Sequence, residues 1–367
     1  MNILYLSHLG GESFAGPTYS VPKQIEAQSK LDNVFWYNAS KSKKTEWKNF
    51  PFYHDIDEYP NESIESLPNP FNHPDIIVVE CFYNMAGSNL RMELIKKGIP
   101  YVIVPRGELT EKAQERKGFK KKIANLLWFN AFARKAASIH YLTEQEKNDS
   151  GKKWNKEGFV IPNGIVIPKR KKTTFNKNLK LVFIGRIEPY QKGLDLLIEA
   201  CSFIKNELID KSVTISIYGP DREDKLNELK KQVKASGLNK VIDFYDAVYG
   251  EEKENILLNS DVFVLTSRFE GHPMALIEAL SYGLPCLVTQ GSNMKEIVQD
   301  NDAGWTAECE TMSLKAGLLH ILNSSVENLI EKGKNAYVLS QKYSWDIIAK
   351  ETHRKFRLLV KDDCDGR

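Results

Sequence analysis

At 367 residues the chain is longer than one ordinary hydrophobic core organises, which points to two domains. An apolar share of 42% with 27% charged residues excludes a disordered chain, and no apolar run reaches the roughly 18 residues that a bilayer span needs. The net charge of +3 is too small to imply nucleic acid as a partner. The five cysteines (Cys81, Cys201, Cys286, Cys309, Cys364) show no paired spacing, which argues for a reducing compartment and against zinc. Residues 1–7 carry no basic leader and turn polar at once, so a cytoplasmic protein is expected.

Short apolar runs alternate with helical patterns, the mark of an α/β chain with parallel sheets. In the first half, strands are expected at 2–6, 75–79, 101–104, 138–141 and 159–161. Between the strands expected at 101–104 and 138–141, residues 112–135 carry eight basic residues against one acidic residue, Glu115. Ile123, Leu126, Leu127, Trp128, Phe129 and Phe132 are interleaved with them. This reads as a basic amphipathic helix, compatible with docking on an anionic membrane surface or with packing on its own domain. A lysine-rich stretch at 168–178 reads as a linker, after which strands are expected at 179–184, 212–218, 241–244, 261–265 and 285–289. The implied architecture is an N-terminal domain (1–168), a linker (169–178), a C-terminal domain (179–345) and a final helix and tail (346–367) packing back toward the N-domain.

The most informative segment is Glu270-Gly-His-Pro-Met-Ala-Leu-Ile-Glu278, two carboxylates with seven residues between them, following a buried strand. Pro273 suits the first turn of a helix, and Gly283 with Pro285 is a stop signal. Glu270 then lies in the loop and Glu278 inside the helix, where a lone carboxylate in an apolar run needs a hydrogen-bonding partner or a solvated edge. A second strand-loop-helix unit, residues 183–195, brackets Arg186 and Lys192 between Gly185 and Gly193. Two cations beside a helix start, at the carboxyl end of a parallel strand, suit a diphosphate. With a hydroxyl-rich group accepted at Glu278, the pair of loops describes a nucleotide-sugar.

On these residues, with Pro162-Asn163-Gly164 and Pro105-Arg106-Gly107-Glu108-Leu109, the chain resembles the retaining glycosyltransferases of the two-Rossmann-domain (GT-B) type, family four, in its Pro-Arg-Gly subgroup. The resemblance implies two Rossmann-like domains facing across a cleft and a nucleotide diphosphate sugar (UDP- or GDP-sugar) as donor, with no metal and no further cofactor. Arg186 and Lys192 would hold the donor diphosphate, Glu278 the ribose hydroxyls, and Glu270 the sugar ring near its anomeric carbon. The backbone around Gly271, His272, Met274 and Ala275 would bind sugar and phosphates, the loop carrying Val248 the base, and Gly10-Gly11 with Ala15-Gly16-Pro17 would face the diphosphate and acceptor. A lipid-linked or surface glycan precursor, as in bacterial polysaccharide synthesis, is the implied acceptor.

The chain departs from the pattern at Pro273, where the family often has Gly; at Ala15-Gly16, in place of Gly-Gly; and at Pro105-Arg106, near which many relatives carry a histidine. Arg106 is expected either to supply the cationic contact which that histidine gives elsewhere, or to pair structurally with Glu108 or Glu111. Asp55-Ile-Asp57 resembles a metal-binding motif but is expected to lie in a loop without a supporting strand and to bind none. His140 and His320 read as core residues. A nucleotide-sugar epimerase and a non-catalytic glycan-binding subunit are the rival readings of the same architecture.

Overall fold

The buried apolar runs form two sheets, and every hydrogen-bonded strand pair in them is parallel. They are seen in a computed structural model that describes residues 1–11, 16–85, 89–115, 125–151, 154, 158–221 and 224–365. Strands covered by helices on both faces lose all solvent contact, so they read as unbroken apolar runs. Ile76, Ile77, Val78 and Val79 are an instance, each fully buried.

The chain divides into two units, residues 1–164 with the segment from Trp345 onward, and residues 165–344. In the first unit β1 (Asn2–Ser7), β2 (Asn33–Asn38), β3 (Tyr53–Asp55), β4 (Ile76–Glu80), β5 (Tyr101–Val104), β6 (Ser138–Tyr141) and β7 (Phe159–Val160) lie in the order β3-β2-β1-β4-β5-β6-β7. In the second, β8 (Lys180–Ile184), β9 (Thr214–Tyr218), β10 (Ile242–Tyr245), β11 (Val262–Leu265), β12 (Cys286–Thr289) and β13 (Gly304–Ala307) lie in the order β10-β9-β8-β11-β12-β13. Each order reverses once, at β1/β4 and at β8/β11. Ligands of open parallel sheets bind outside the carboxyl ends of the strands at such a reversal.

The final helix, Trp345–Asp365, packs on the helix Gly16–Gln28 within the first unit. Ile348 and Phe356 share a core there with Val21 and Ile25, and His353 Nδ1 lies 2.8 Å from the buried Asp32 carboxylate. Residues 168–178 are seated on the second unit: Lys172 Nζ sits 3.0 Å from Asp261, whose side chain is fully buried.

Several local expectations need correction. Asp55 does end a strand, β3, which the Pro- and Tyr-rich sequence around it concealed. Both Asp55 and Asp57 hold Lys43 Nζ, at 2.7 and 2.5 Å. Strands β2, β3 and β13 were not expected; β2 is an aromatic Val-Phe-Trp-Tyr run between two asparagines. Much of the basic segment, residues 116–124, lies outside the described residues. Of its apolar side chains Phe129 and Phe132 are buried in the first unit, and Trp128 is exposed with the Arg91 guanidinium 6.0 Å from its ring. Among the described residues no helix is long and apolar enough to cross a membrane.

Candidate functional site

At the β8/β11 reversal the two loops singled out in the sequence meet. The first leaves β8 and forms a short turn of helix, Pro189–Lys192, closed by Gly193 in the left-handed region (φ 62°). No side chain fits there, because a Cβ on Gly193 would stand 1.9 Å from the Thr266 carbonyl oxygen of the second loop. Thr266 Oγ1 donates to the Lys192 and Gly193 carbonyls, each at 3.0 Å. The Arg268 guanidinium is bidentate on Asp195, at 2.8 Å through each nitrogen, and also donates to the Tyr190 carbonyl at 2.7 Å. With the Arg268 amide donating to the Gln191 carbonyl at 2.9 Å, the two loops are clamped together.

Lys192 and Glu270 face each other inside this clamp. Lys192 Nζ lies 2.7 and 2.9 Å from the two oxygens of Glu270, which also accepts from Ser267 Oγ. Asn293, itself in the left-handed region (φ 60°), donates to the Glu270 carbonyl at 2.6 Å and so fixes the loop from behind. Arg186 points outward, half-exposed, and its guanidinium is held by Glu188. Sequence reasoning found Lys192, Glu270 and Arg186 but missed Ser267, Arg268 and Asn293. The Gly291-Ser-Asn run, with a residue type that tolerates positive φ, was the available signal for the last of these.

The helix after Glu270 spans Met274–Ser281, and Pro273 sits at its cap, one position earlier than expected. There Pro273 makes an inverse γ-turn (φ −81°, ψ 74°) that turns the Met274 amide onto the His272 carbonyl at 2.9 Å. Using that amide on a ligand therefore requires the turn to open. His272 is packed against Met274 Sδ at 3.2 Å and near the Tyr343 ring, its Nε2 has no hydrogen-bond partner among the described residues, and burial pushes its pKa down to about 4. Gly271 is exposed, and Ala275 lies in the first turn. Glu278 is neither stranded nor simply solvated: it ion-pairs with Lys253, a partner that the sequence did not reveal, from the helix Gly250–Asn259. Val248 is buried in the loop that leads into that helix.

In the first unit, Arg106 occupies the end of β5 in the left-handed region (φ 50°). Its Nε donates to Glu80 at 2.8 Å, and its terminal nitrogens donate to Ser20, Asn163 and Gln24 at 3.1, 3.2 and 3.0 Å. Burial opposes the guanidinium's charge, but Glu80, with Cys81 and Glu146 nearby, outweighs it and holds the pKa above the usual range. The structural pairing is thus with Glu80, not with Glu108 or Glu111. Glu108 is instead spent on the Phe82 and Tyr83 amides, and Glu146 on those of Gly107 and Leu142. Gly16 opens the helix Gly16–Gln28, next to residues 12–15, which lie outside the described set.

Two parallel sheets, each reversing once, define an α/β protein of the GT-B type. The likeness to solved structures agrees: Anabaena HepE in complex with UDP and glucose superposes with a TM-score of 0.68 at 16% identity, covering 97% of this chain and 99% of that one. A sucrose-phosphate synthase from Thermosynechococcus elongatus gives 0.69 at 14% identity, covering 99% and 100%. Residues 167–338 match the family model of the glycosyl transferases group 1. Over 186 residues the chain is 30% identical to the Escherichia coli UDP-Gal:alpha-D-GlcNAc-diphosphoundecaprenol alpha-1,3-galactosyltransferase, covering 47% of each chain. It is 31% identical over 150 residues to the amylovoran biosynthesis glycosyltransferase AmsK of Erwinia amylovora, covering 39% of this chain and 36% of that one. The chain spans about half the length of such relatives, or less.

Proposed function

We propose that the chain is a retaining glycosyltransferase that moves a sugar from a nucleotide diphosphate sugar, a UDP-sugar in the first instance, to an acceptor hydroxyl. The observation that carries this is the Lys192–Glu270 pair clamped at the β8/β11 reversal, within the region that matches the family. A diphosphate oxygen takes the place of Glu270 on Lys192, with Arg186 swinging from Glu188 to the same group. These two cations neutralise the charge that grows on the leaving diphosphate, the role a divalent ion fills in other transferases. Glu270, released, faces the sugar and stabilises positive charge at its anomeric carbon. Glu278 accepts from the ribose hydroxyls, and the backbone near Val248 contacts the base.

The bond from the anomeric carbon to the β-phosphate oxygen breaks, and the acceptor oxygen bonds to the same face of that carbon. The acceptor's proton passes to the departing phosphate oxygen. The second unit is the donor domain in this reading, and the first takes the acceptor. The names of the E. coli and Erwinia relatives, one acting on a diphosphoundecaprenol-linked sugar and one in amylovoran biosynthesis, support a lipid-linked or surface glycan precursor as that acceptor.

A panel of UDP- and GDP-sugars, assayed for release of the nucleotide diphosphate without acceptor, tests the reading. Wild-type protein should hydrolyse one donor slowly, and Glu270→Gln should lose about 10²–10³ of that rate while still binding the nucleotide diphosphate. Donor converted to an isomer with no nucleotide released would favour an epimerase instead. Unchanged hydrolysis in Glu270→Gln would remove Glu270 from the chemistry.

A further inference from the structure

Strand β9 departs from the rule that β11 and β12 of its sheet follow. Parallel strands between helices are apolar on both faces, yet β9 reads Thr-Ile-Ser-Ile-Tyr. Ile215 and Ile217 are fully buried, whereas Thr214, Ser216 and Tyr218 project from the opposite face. Tyr218 is in register with Tyr245 of β10, and the two rings stack with centroids 4.7 Å apart and planes at 17°. A groove of about 700 Å³ runs along this face, walled on its far side by the helix Gly250–Asn259 through Glu251, Glu252, Asn255 and Asn259. Its lining shares no residue with loops 185–193 and 266–274, and it begins near Lys180, at the amino end of β8.

The lining selects the occupant. Stable protein interfaces have an apolar core depleted of charge, whereas here amides, hydroxyls and three charged residues line the walls. Phosphates call for clustered cations, and the groove sets one lysine against two glutamates. A neutral, polyhydroxylated ligand fits each remaining feature. The amides and carboxylates bond adjacent hydroxyls, and the outer face of the half-exposed Tyr245 offers its negative quadrupole to the C–H face of a pyranose ring. The volume lies within the roughly 300–1,000 Å³ usual for small-ligand sites.

We propose that this groove is a saccharide-binding subsite for a short stretch of neutral oligosaccharide, separate from loops 185–193 and 266–274. The choice of a saccharide among polyols rests on the glycosyltransferase reading. The test is isothermal titration of the full chain with linear neutral hexasaccharides of glucose (α-1,4 and β-1,4) and of N-acetylglucosamine, alongside the donor-hydrolysis assay. Wild type should bind at least one saturably in the millimolar range. Tyr245→Ala should weaken that binding about tenfold, and Tyr245→Trp should restore it, with melting temperature and donor hydrolysis unchanged in both. Tyr218→Ala should weaken binding as Tyr245→Ala does. Saturable binding that Tyr245→Ala leaves intact, or no saturable binding to any of the three, would overturn the subsite. Saccharide binding without donor hydrolysis would sink the enzymatic reading and leave the groove standing.

Discussion

The two units share one strand order around their reversals, yet they use charge at the carboxyl ends in opposite ways. In the first unit Glu80, Arg106, Glu108 and Glu146 are consumed by the protein itself. Arg106 makes contacts to four residues, and each glutamate satisfies backbone amides or that guanidinium. In the second unit the charges come in simple pairs, Lys192 with Glu270 and Lys253 with Glu278, and Glu278 is still 38% exposed. A buried network of many bonds holds a shape. A two-membered pair can exchange one partner for a ligand of the same charge.

The sharpest way to break this contrast is to remove Arg106. Glu80 is wholly buried, and one of its oxygens, Oε1, has no hydrogen-bond partner among the described residues even with Arg106 present. Arg106→Met should therefore cost about 3–5 kcal/mol, the range for stranding a buried charge, and the double variant Arg106→Met/Glu80→Leu should recover most of it. The readout is the midpoint of urea unfolding for all three proteins. Lys192→Met should shift the midpoint less, because Glu270 keeps the Ser267 hydroxyl and a slightly exposed side chain, and should lose about 10²-fold in turnover. Were Arg106→Met to unfold like wild type and lose turnover, Arg106 would be the ligand contact that its sequence position suggested.

That ambiguity shows where the sequence stops being legible. Periodicity and length were enough for the α/β class, the two-sheet plan and ten of the strands, because buried parallel strands announce themselves as apolar runs. The aromatic run of β2 and the half-buried Gly-Trp-Thr-Ala of β13 do not, since their patterns fit loops equally well. In the site, Lys192 and Glu270 were readable because each sits beside a glycine at a strand-to-helix turn. Lys253 was not, since a lysine in the first turns of an acidic helix looks like any solvated cation, and its pairing with Glu278 depends on how two helices lie side by side. Arg106 carried the right motif, but its buried partner is 26 residues away on another strand, and no spacing encodes that.

A smaller effect separates the units by acid. His140 in the first is buried and His272 in the second is half-buried, and the loss of water around each ring lowers its pKa to about 4. Each stays neutral in the fold, whereas the unfolded chain takes up its proton near the ordinary value of about 6.5. The unfolded state therefore binds more protons between these limits, so stability is full above about 6.5 and falls as pH drops toward 4. Each histidine should contribute about 1.4 kcal/mol per pH unit to that fall. Urea unfolding between pH 7 and 5 checks this, and His272→Phe should halve the slope. A slope untouched by His272→Phe would mean that its ring already finds a proton acceptor when folded.

The smallest effect concerns Lys253, and it bears on whether the second unit's pairs are exchangeable at all. Lys253 occupies an oxygen of Glu278 that the proposed donor site assigns to a ribose hydroxyl. An ion pair this open to solvent is worth about 0–1 kcal/mol, so a ligand can displace it cheaply. Lys253→Met should accordingly lower KM for the nucleotide-sugar by up to about fivefold while kcat stays put, because only ground-state competition has been removed. A raised KM would mean that Lys253 touches the donor itself. The pair would then be a two-residue binding site, and the exchange that sets the second unit apart from the first would belong to Lys192 and Glu270 alone.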